Sequence, residues 1–351
     1  METTYHTSDC SPRLYPVFSI SSYFNTEEDE EKKDVMIAHG NYQRAEWGEA
    51  TAPIIIDDKT YPLPDSVNLL WIAITEAQGY QLSAPIDKEK IEKLWQMEDE
   101  DHDPMFDTFV VGFAPYGKVA VWLRGTYKAV LLNWMQGEEA NDRLAKTRVG
   151  RIGKEDFCMM QLEADEVVLN NLQENGLPPR EKYDQLMQQY EYRYVPLEEY
   201  WDGEAWQEYD EEDRFYDDID IESIEDVRHD GTFDRLCDGK LLRYHEAGCP
   251  KRLALKWKEG RANLSAYWWI DEEQLGYVLR RFASIDPTGR ADLLLRLDSR
   301  QGRFELALKG GEMLQNPIDI PQEAYQLIVF KDGHQLYLSP NFTQEDGAWN
   351  W

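Results

Sequence analysis

Two stretches, FDTFVVGFAPYGKVAVWL at 106–123 and ADLLLRLDSRQGRFELAL at 291–308, lie over one another without a gap, pairing Asp107 with Asp292 and Gly117 with Gly302. In the first, Thr108–Ala114 and Lys118–Leu123 are rich in Val and Phe. They flank Pro115-Tyr116-Gly117, the composition of two strands and a turn. In the second, Asp292–Leu297 and Arg303–Leu308 read the same way. The agreement extends upstream, where Pro64 stands seven residues before Trp71 and Pro250 seven before Trp257. The strand Val67–Ile74 follows the first proline; Leu253–Trp257 and Leu264–Trp269 follow the second. Each strand region leads into Ile-Asp opening a helix: Ile86-Asp87 with Glu89 and Ile91, then Ile270-Asp271 with Glu273 and Leu275. These anchors recur in one order, so the same strand–helix–hairpin unit is expected twice. The expected fold class is α+β: two similar units, antiparallel sheets with helices on one face, joined by a helical and acidic middle segment. The expected boundaries are 1–145, 146–230 and 231–351.

Other elements fill this frame. Ile86–Met97 and Glu272–Phe282 carry helical periodicity, and Tyr127–Trp134 is placed to extend the first sheet. Gln161–Gln173 reads as a helix stopped by Gly176 and Pro178-Pro179, and Glu181–Tyr192 as a second helix. Asp332-Gly333 between Gln326–Lys331 and His334–Ser339 marks a hairpin. Trp71, Trp122, Trp257, Trp268 and Trp269 stand at strand positions and are expected in the core or half-buried on a sheet. Trp349 and Trp351, in the polar tail, are open to docking on the domain or on a partner.

The chain has 351 residues with 37 Lys and Arg against 68 Asp and Glu, a net charge of −31. Its 12 Trp and 20 Tyr are too many for a disordered acidic tail. Direct nucleic-acid binding is disfavoured, because that affinity comes from cations displacing counterions. No run approaches the apolar length of a membrane span. The first twenty residues lack the charged and apolar regions of a secretory signal, so a cytoplasmic protein is expected. Cys10, Cys158, Cys237 and Cys249 include no C-x-x-C and are expected as inert thiols.

Catalytic and metal motifs fail one by one. Gly112–Lys118 has the G-x-x-x-x-G-K spacing of a phosphate loop, but Val119 stands where a hydroxyl should reach magnesium, and the loop runs from strand to strand. His229, Cys237, His245 and Cys249 lack the paired knuckles of a zinc site. There is no G-x-S-x-G, H-E-x-x-H or G-x-G-x-x-G. The expectation is therefore no enzyme, no cofactor and no metal.

Glu198–Asp226 carries the most information. It holds 15 acidic residues, one basic residue (Arg214) and six aromatics among 29 positions. Solvating linkers are poor in aromatics, whereas aromatics supply contact area at interface centres and concentrated charge speeds capture of an opposite partner. The candidate partner-binding residues are the aromatics Trp201, Trp206, Tyr209, Phe215 and Tyr216 and the acids Glu208, Asp210, Glu211, Glu212, Asp213, Asp217, Asp218 and Asp220. Calcium binding is not indicated, since the D-x-D-x-D-G order is missing.

LPDSVNLLWIAITEAQGYQLSAPIDKEKIEKLW (63–95) and FDTFVVGFAPYGKVAVWLRG (106–125) together resemble the bacterial family called domain of unknown function 2931. Its members show a Pro-led strand ending in Trp, a helix, and a Gly-turn hairpin ending in V-x-V-W-L. The resemblance spans about residues 60–125 and implies no catalytic residues. Many members look like exported lipoproteins, and the leader they carry is not read in this sequence. The functional expectation is an immunity-type protein that neutralises a basic antibacterial toxin domain in the cytoplasm, without direct contact to nucleic acid or membrane. The alternatives are an acidic adaptor or nucleic-acid mimic acting on a DNA-binding protein, and a carbohydrate-active enzyme using paired carboxylates.

Overall fold

A computed structural model of the chain describes residues 2–28, 31–38, 41–43, 47–50, 60–99, 102–197, 199–208, 219–237, 240, 243–285, 290–299, 301–310 and 314–342. It divides into two compact units. The first is Met1–Met187 with Asp230–Thr232; the second is Gln188–His229 with Phe233–Trp351.

The first unit begins with β1 (Glu2–Thr3), β2 (His6–Cys10), β3 (Val17–Glu28), β4 (Glu31–Ala38), β5 (Asn41–Gln43), β6 (Tyr61–Pro62), β7 (Ser66–Ala73) and β8 (Gln78–Pro85). Helix α1 (Lys88–Trp95) leads to β9 (Thr108–Ala114), β10 (Lys118–Arg124), β11 (Lys128–Gln136) and β12 (Glu138–Glu139). One sheet has the order β12-β8-β7-β3-β4, and β5 also pairs with β3; a second layer of strands runs β2-β9-β10-β11. Strand β2 is parallel to β9, with His6 opposite Thr108. Trp71, Phe24, Phe109, Val111, Phe113 and Ile91 meet in one buried cluster, with the Trp71 and Phe113 rings 5.1 Å apart. Strand β9 is buried on both faces, which explains its unbroken apolar run. Five short helices close the unit: α2 (Asn141–Leu144), α3 (Arg148–Ile152), α4 (Lys154–Glu163), α5 (Glu166–Asn175) and α6 (Lys182–Leu186).

The second unit contains β13 (Tyr190–Leu197), β14 (Glu199–Trp201), β15 (Trp206–Glu208), β16 (Ile219–Arg228), β17 (Phe233–Leu236), β18 (His245–Ala247), β19 (Pro250–Glu259) and β20 (Ala262–Ile270). Helix α7 (Glu272–Ile285) is followed by β21 (Arg290–Asp298), β22 (Arg303–Gly310), β23 (Leu314–Asp319), β24 (Tyr325–Lys331) and β25 (His334–Leu338). Here the strand orders are β17-β16-β19-β20-β24-β25 and β18-β13-β21-β22-β23. Strand β13 is parallel to β21, with Glu191 opposite Arg290. Trp257, Trp268, Phe304, Leu306, Leu275 and Phe282 share its core.

The two units have one topology. β2 corresponds to β13, β3 to β16, β4 to β17, β7 to β19, β8 to β20, α1 to α7, and β9-β10-β11 to β21-β22-β23, with the pairings among these strands and their directions preserved; β5 beside β3 and β18 beside β13 are particular to one unit each. The helix starts agree in detail. Asp87 Oδ1 accepts from Lys90 N at 2.9 Å and Asp271 Oδ1 from Gln274 N at 3.0 Å, each satisfying an orphan donor of the first turn.

The α+β expectation is corrected by this architecture. The chain is mostly β, built of large multi-stranded sheets with few helices, and helices do not form a layer over the sheets. The missing strands lie where polar residues hide the alternation. HTSDC forms β2 although its Thr7, Ser8 and Asp9 are buried. The helix expected over Glu181–Tyr192 stops at Leu186, and β13 buries Tyr190, Tyr192 and Tyr194 on one face. The helix expected over Gln161–Gln173 is two, broken where the Asp165 side chain caps α5. No helix among the described residues is long and apolar enough to cross a membrane.

Gly112 has a packing role. A Cβ there would lie 2.4 Å from the Trp122 ring and 2.9 Å from Trp47. Gly112→Ala is expected to destabilise the chain by about 1–3 kcal/mol through overpacking, read as a lower urea midpoint; an unchanged midpoint would contradict this packing.

Candidate partner-binding site

Equivalent strands in the two units are joined differently. In the first unit Ser11–Pro16 lead from β2 to β3, whereas in the second residues 198–218 lead from β13 to β16. The acidic-aromatic segment is therefore an insertion within the second unit. Tyr209, Asp210, Glu211, Glu212, Asp213, Phe215, Tyr216, Asp217 and Asp218 lie outside the described residues, as do Trp349 and Trp351. What is described is how the insertion is anchored at each end.

Its first arm is the hairpin β14-β15, with Trp201 opposite Trp206 around Asp202-Gly203. Gly203 takes φ 108°, and Asp202 Oδ1 accepts from Glu204 N and Ala205 N, both at 2.8 Å. Those two amides hold the Asp202 carboxyl below its ordinary range. The hairpin docks on the β21-β22 turn of its own unit. The Arg303 guanidinium stacks 3.4 Å over Trp201, Trp206 Nε1 donates to Glu305 Oε2 at 2.6 Å, and Gln301 Nε2 donates to Trp201 O at 2.6 Å. Asp298, 1% exposed, accepts from Trp201 N at 3.0 Å. Arg296 pairs with Glu199 at 3.0 Å and Asp319 at 2.6 Å. Trp201 and Trp206 are thus half-buried against their own sheet and engaged in fixing the stem.

The second arm is β16, paired with β19 from Ile219–Glu259 onward. Asp220 is exposed, and Glu222 forms an ion pair with Lys258. Farther along, Asp226 turns inward to full burial. Its Oδ2 accepts from Arg228 Nε at 2.8 Å, lies 3.3 Å from Tyr192 Oη, and stands 4.0 Å from His245 Nε2. Asp226 Oδ1, Tyr194 Oη and His245 Nε2 are buried without a hydrogen-bond partner. Asp226 serves the core here rather than the acidic surface.

His229 Nε2 is 3.2 Å from Ile270 O, His245 belongs to the Asp226 cluster, and Cys249 is buried. Among the described residues no three His, Cys, Asp or Glu side chains are grouped to hold a metal ion. Gly112–Lys118 is a strand–turn–strand whose Lys118 pairs with Asp184 at 2.8 Å. Sequence reasoning missed Arg296, Arg303 and Glu305. The signal was present in β22, where Arg303 and Glu305 alternate with buried Phe304 and Leu306 and so share the outward face.

A family model described as "Protein of unknown function (DUF2931)" matches residues 2–199. The chain belongs to the DUF2931 family. The match covers the first unit's main run and ends at the first residue of β14, so the remainder of the insertion lies beyond it in this DUF2931 member. No curated protein and no solved structure matches the chain.

Burial holds the His245 imidazole below its ordinary 6.5; the Asp226 carboxylate pulls it partly back and Arg228 opposes that. The unfolded chain takes up this proton near 6.5 and the folded chain only at lower pH. Between those values the unfolded state binds more protons, so stability falls as pH drops below 6.5. Denaturant titrations across this window are expected to show that decline in the wild type and a shallower one in His245→Gln; equal slopes would remove His245 as its source.

Proposed function

We propose that the chain is an immunity-type protein, which binds and neutralises a basic, nucleic-acid-directed toxin domain in the cytoplasm through the insertion of its second unit. One observation carries the reading. The first unit joins the equivalent strands with Ser11–Pro16, so the topology has no need of residues 198–218, yet eleven carboxylates and a single arginine are gathered there. Concentrated negative charge accelerates capture of a basic protein and rejects acidic ones. A domain that grips phosphates must present cations, and an acidic loop competes for the same surface. In this reading Asp210–Asp213 and Asp217, Asp218 and Asp220 meet Lys or Arg of the toxin. Tyr209, Phe215 and Tyr216 supply apolar contact, and Trp201 and Trp206 hold the stem in place.

The test uses the full chain and a variant in which residues 198–218 are replaced by the Ser11–Pro16 sequence. Each is used as bait in extracts of the source cells, and any basic protein retained is expressed alone and together with the bait. The expected result is a growth-arresting protein captured and neutralised by the wild type but not by the replacement variant, which still folds. Equal protection by both baits, or capture of a DNA-binding protein without toxicity, would overturn the reading. Converting Asp210, Glu211, Glu212 and Asp213 to their amides is expected to slow association about tenfold and flatten its salt dependence. Stopped-flow association at several salt concentrations measures both.

A further inference from the structure

The outer face of the β17-β16-β19-β20-β24-β25 sheet carries aromatics where the first unit has none. Trp257 is opposite Leu264 as Trp71 is opposite Tyr80, so Tyr267 and Trp269 on β20 correspond to Ser83 and Pro85 on β8. Trp268 between them is buried in the core, which turns Tyr267 and Trp269 to the outer side. Neighbouring strands extend the patch. Tyr267 is opposite Ile328 and Ile328 opposite Leu338, and the Phe330 ring lies 6.1 Å from that of Tyr267. Leu336 and Leu338 are exposed, by 37% and 41%. In the first unit helices pack the outer face of the corresponding sheet: Phe18 and Ile72 share a cluster with Leu144, Val149 and Phe157. The second unit has one α-helix among its described residues, α7, and its Leu275, Leu279 and Phe282 belong to the inner core.

The chain itself turns onto this face. After β25, Ser339 N donates to Leu327 O at 2.9 Å, and Ser339 Oγ accepts from Leu327 N at 3.0 Å. Phe342 N then donates to Ser339 O at 3.0 Å, and Asn341 Nδ2 donates to Tyr325 O at 3.0 Å. This turn carries the chain from the edge strand across β24 to β20, where the Phe342 ring meets Trp269 edge-on at 5.6 Å. The sequence that follows, TQEDGAWNW at 343–351, holds two tryptophans and two carboxylates.

We propose that residues 343–351 dock on this outer face of their own sheet, with Trp349 and Trp351 against the patch of Tyr267, Phe330 and Leu338. Continuity selects this occupant, because Phe342 already delivers the chain to Trp269. Length permits it: the seven residues from Phe342 to Trp349 span up to about 25 Å, and β20 to β25 is only about 10 Å across. Trp349 and Trp351 are two positions apart, so an extended segment presents both rings to one side. Charge agrees as well. Strands β20 and β24 hold no carboxylate, and Arg252 and Lys256 border the aromatics on β19, which suits Glu345 and Asp346; Glu225 of β16 lies a strand beyond them. A tethered segment also acts at an effective concentration in the millimolar range, which a free partner would have to match.

The full chain with photo-reactive p-benzoylphenylalanine in place of Trp349 tests the docking. After irradiation at micromolar concentration, mass spectrometry of the digest is expected to find the cross-link within one chain, on residues 262–270 or 325–338. Tyr267→Ser removes the central ring of the patch, and Leu338→Ser removes an exposed side chain at its edge. A fall in cross-linking yield of about threefold or more is expected from the lost contacts, and such a fall with either variant, its circular dichroism unchanged, supports the assignment. A yield unmoved by both would overturn it. So would the absence of a cross-link to this face, or a cross-link formed between two chains, which would make the occupant the tail of a second copy.

Discussion

Neither strand layer of a unit can bury its apolar face alone, and this constraint shapes the rest of the chain. In the first unit Trp71 on one sheet meets Phe113 on the other, while Phe24 meets Phe109. In the second, Trp257 meets Phe304 across the corresponding layers, 6.4 Å apart. A fully buried side chain of this size contributes on the order of 1.5–3 kcal/mol or more through apolar area alone. The helices α1 and α7 add Ile91 and Leu275 to these cores and bridge the two hairpins, so each unit needs only one helix of this kind. The parallel pairs β2-β9 and β13-β21 then follow: the strand before β3 and the strand before the β14-β15 hairpin each complete the second layer of their unit.

The repeating hairpins were legible because each sets two apolar runs on either side of a short turn. Val119, Val121 and Leu123 face one core, as Phe304, Leu306 and Leu308 face the other. The caps Asp87 and Asp271 were equally readable, since a side chain three residues before the amide that donates to it is a local signal. What was obscured was β-structure carried by polar residues. In β16 Asp226 and Arg228 satisfy one another inside the unit, a pairing that composition reads as solvent-facing charge. In β13 the alternation of Tyr190, Tyr192 and Tyr194 was present, but Glu191 and Arg193 between them also suit a helix face. For the candidate site, sequence located the aromatic and acidic cluster. It did not reveal that Trp201 and Trp206 rest on Arg303 and Glu305, because those partners lie about a hundred positions downstream and only the fold brings them together.

A duplicated topology separates two demands that usually compete. Strands β16 and β19 must pair, and their registers and inward residues are constrained by that. The connection that precedes β16 is free to grow, provided its stem is held. Loops tolerate length at small entropic cost, and here the stem is held by a stacked guanidinium, an indole hydrogen bond and a buried carboxylate. The carboxylates of the insertion are thereby carried by a connection in the chain and not by the paired strands β16 and β19.

The crossing strands also set a timetable. His6 pairs with Thr108, and Glu191 with Arg290, so each unit is closed by contacts separated by about a hundred residues. Long-range pairings of this kind slow folding, because the chain loses the entropy of closing a large loop before the contact rewards it. During synthesis β2 has no parallel neighbour until β9 emerges, and β13 waits as long for β21. Two successive intervals therefore exist in which a strand edge is unpaired, and the polar residues Thr7, Ser8 and Asp9 on β2 make that waiting edge less prone to aggregate than an all-aliphatic strand in the same position.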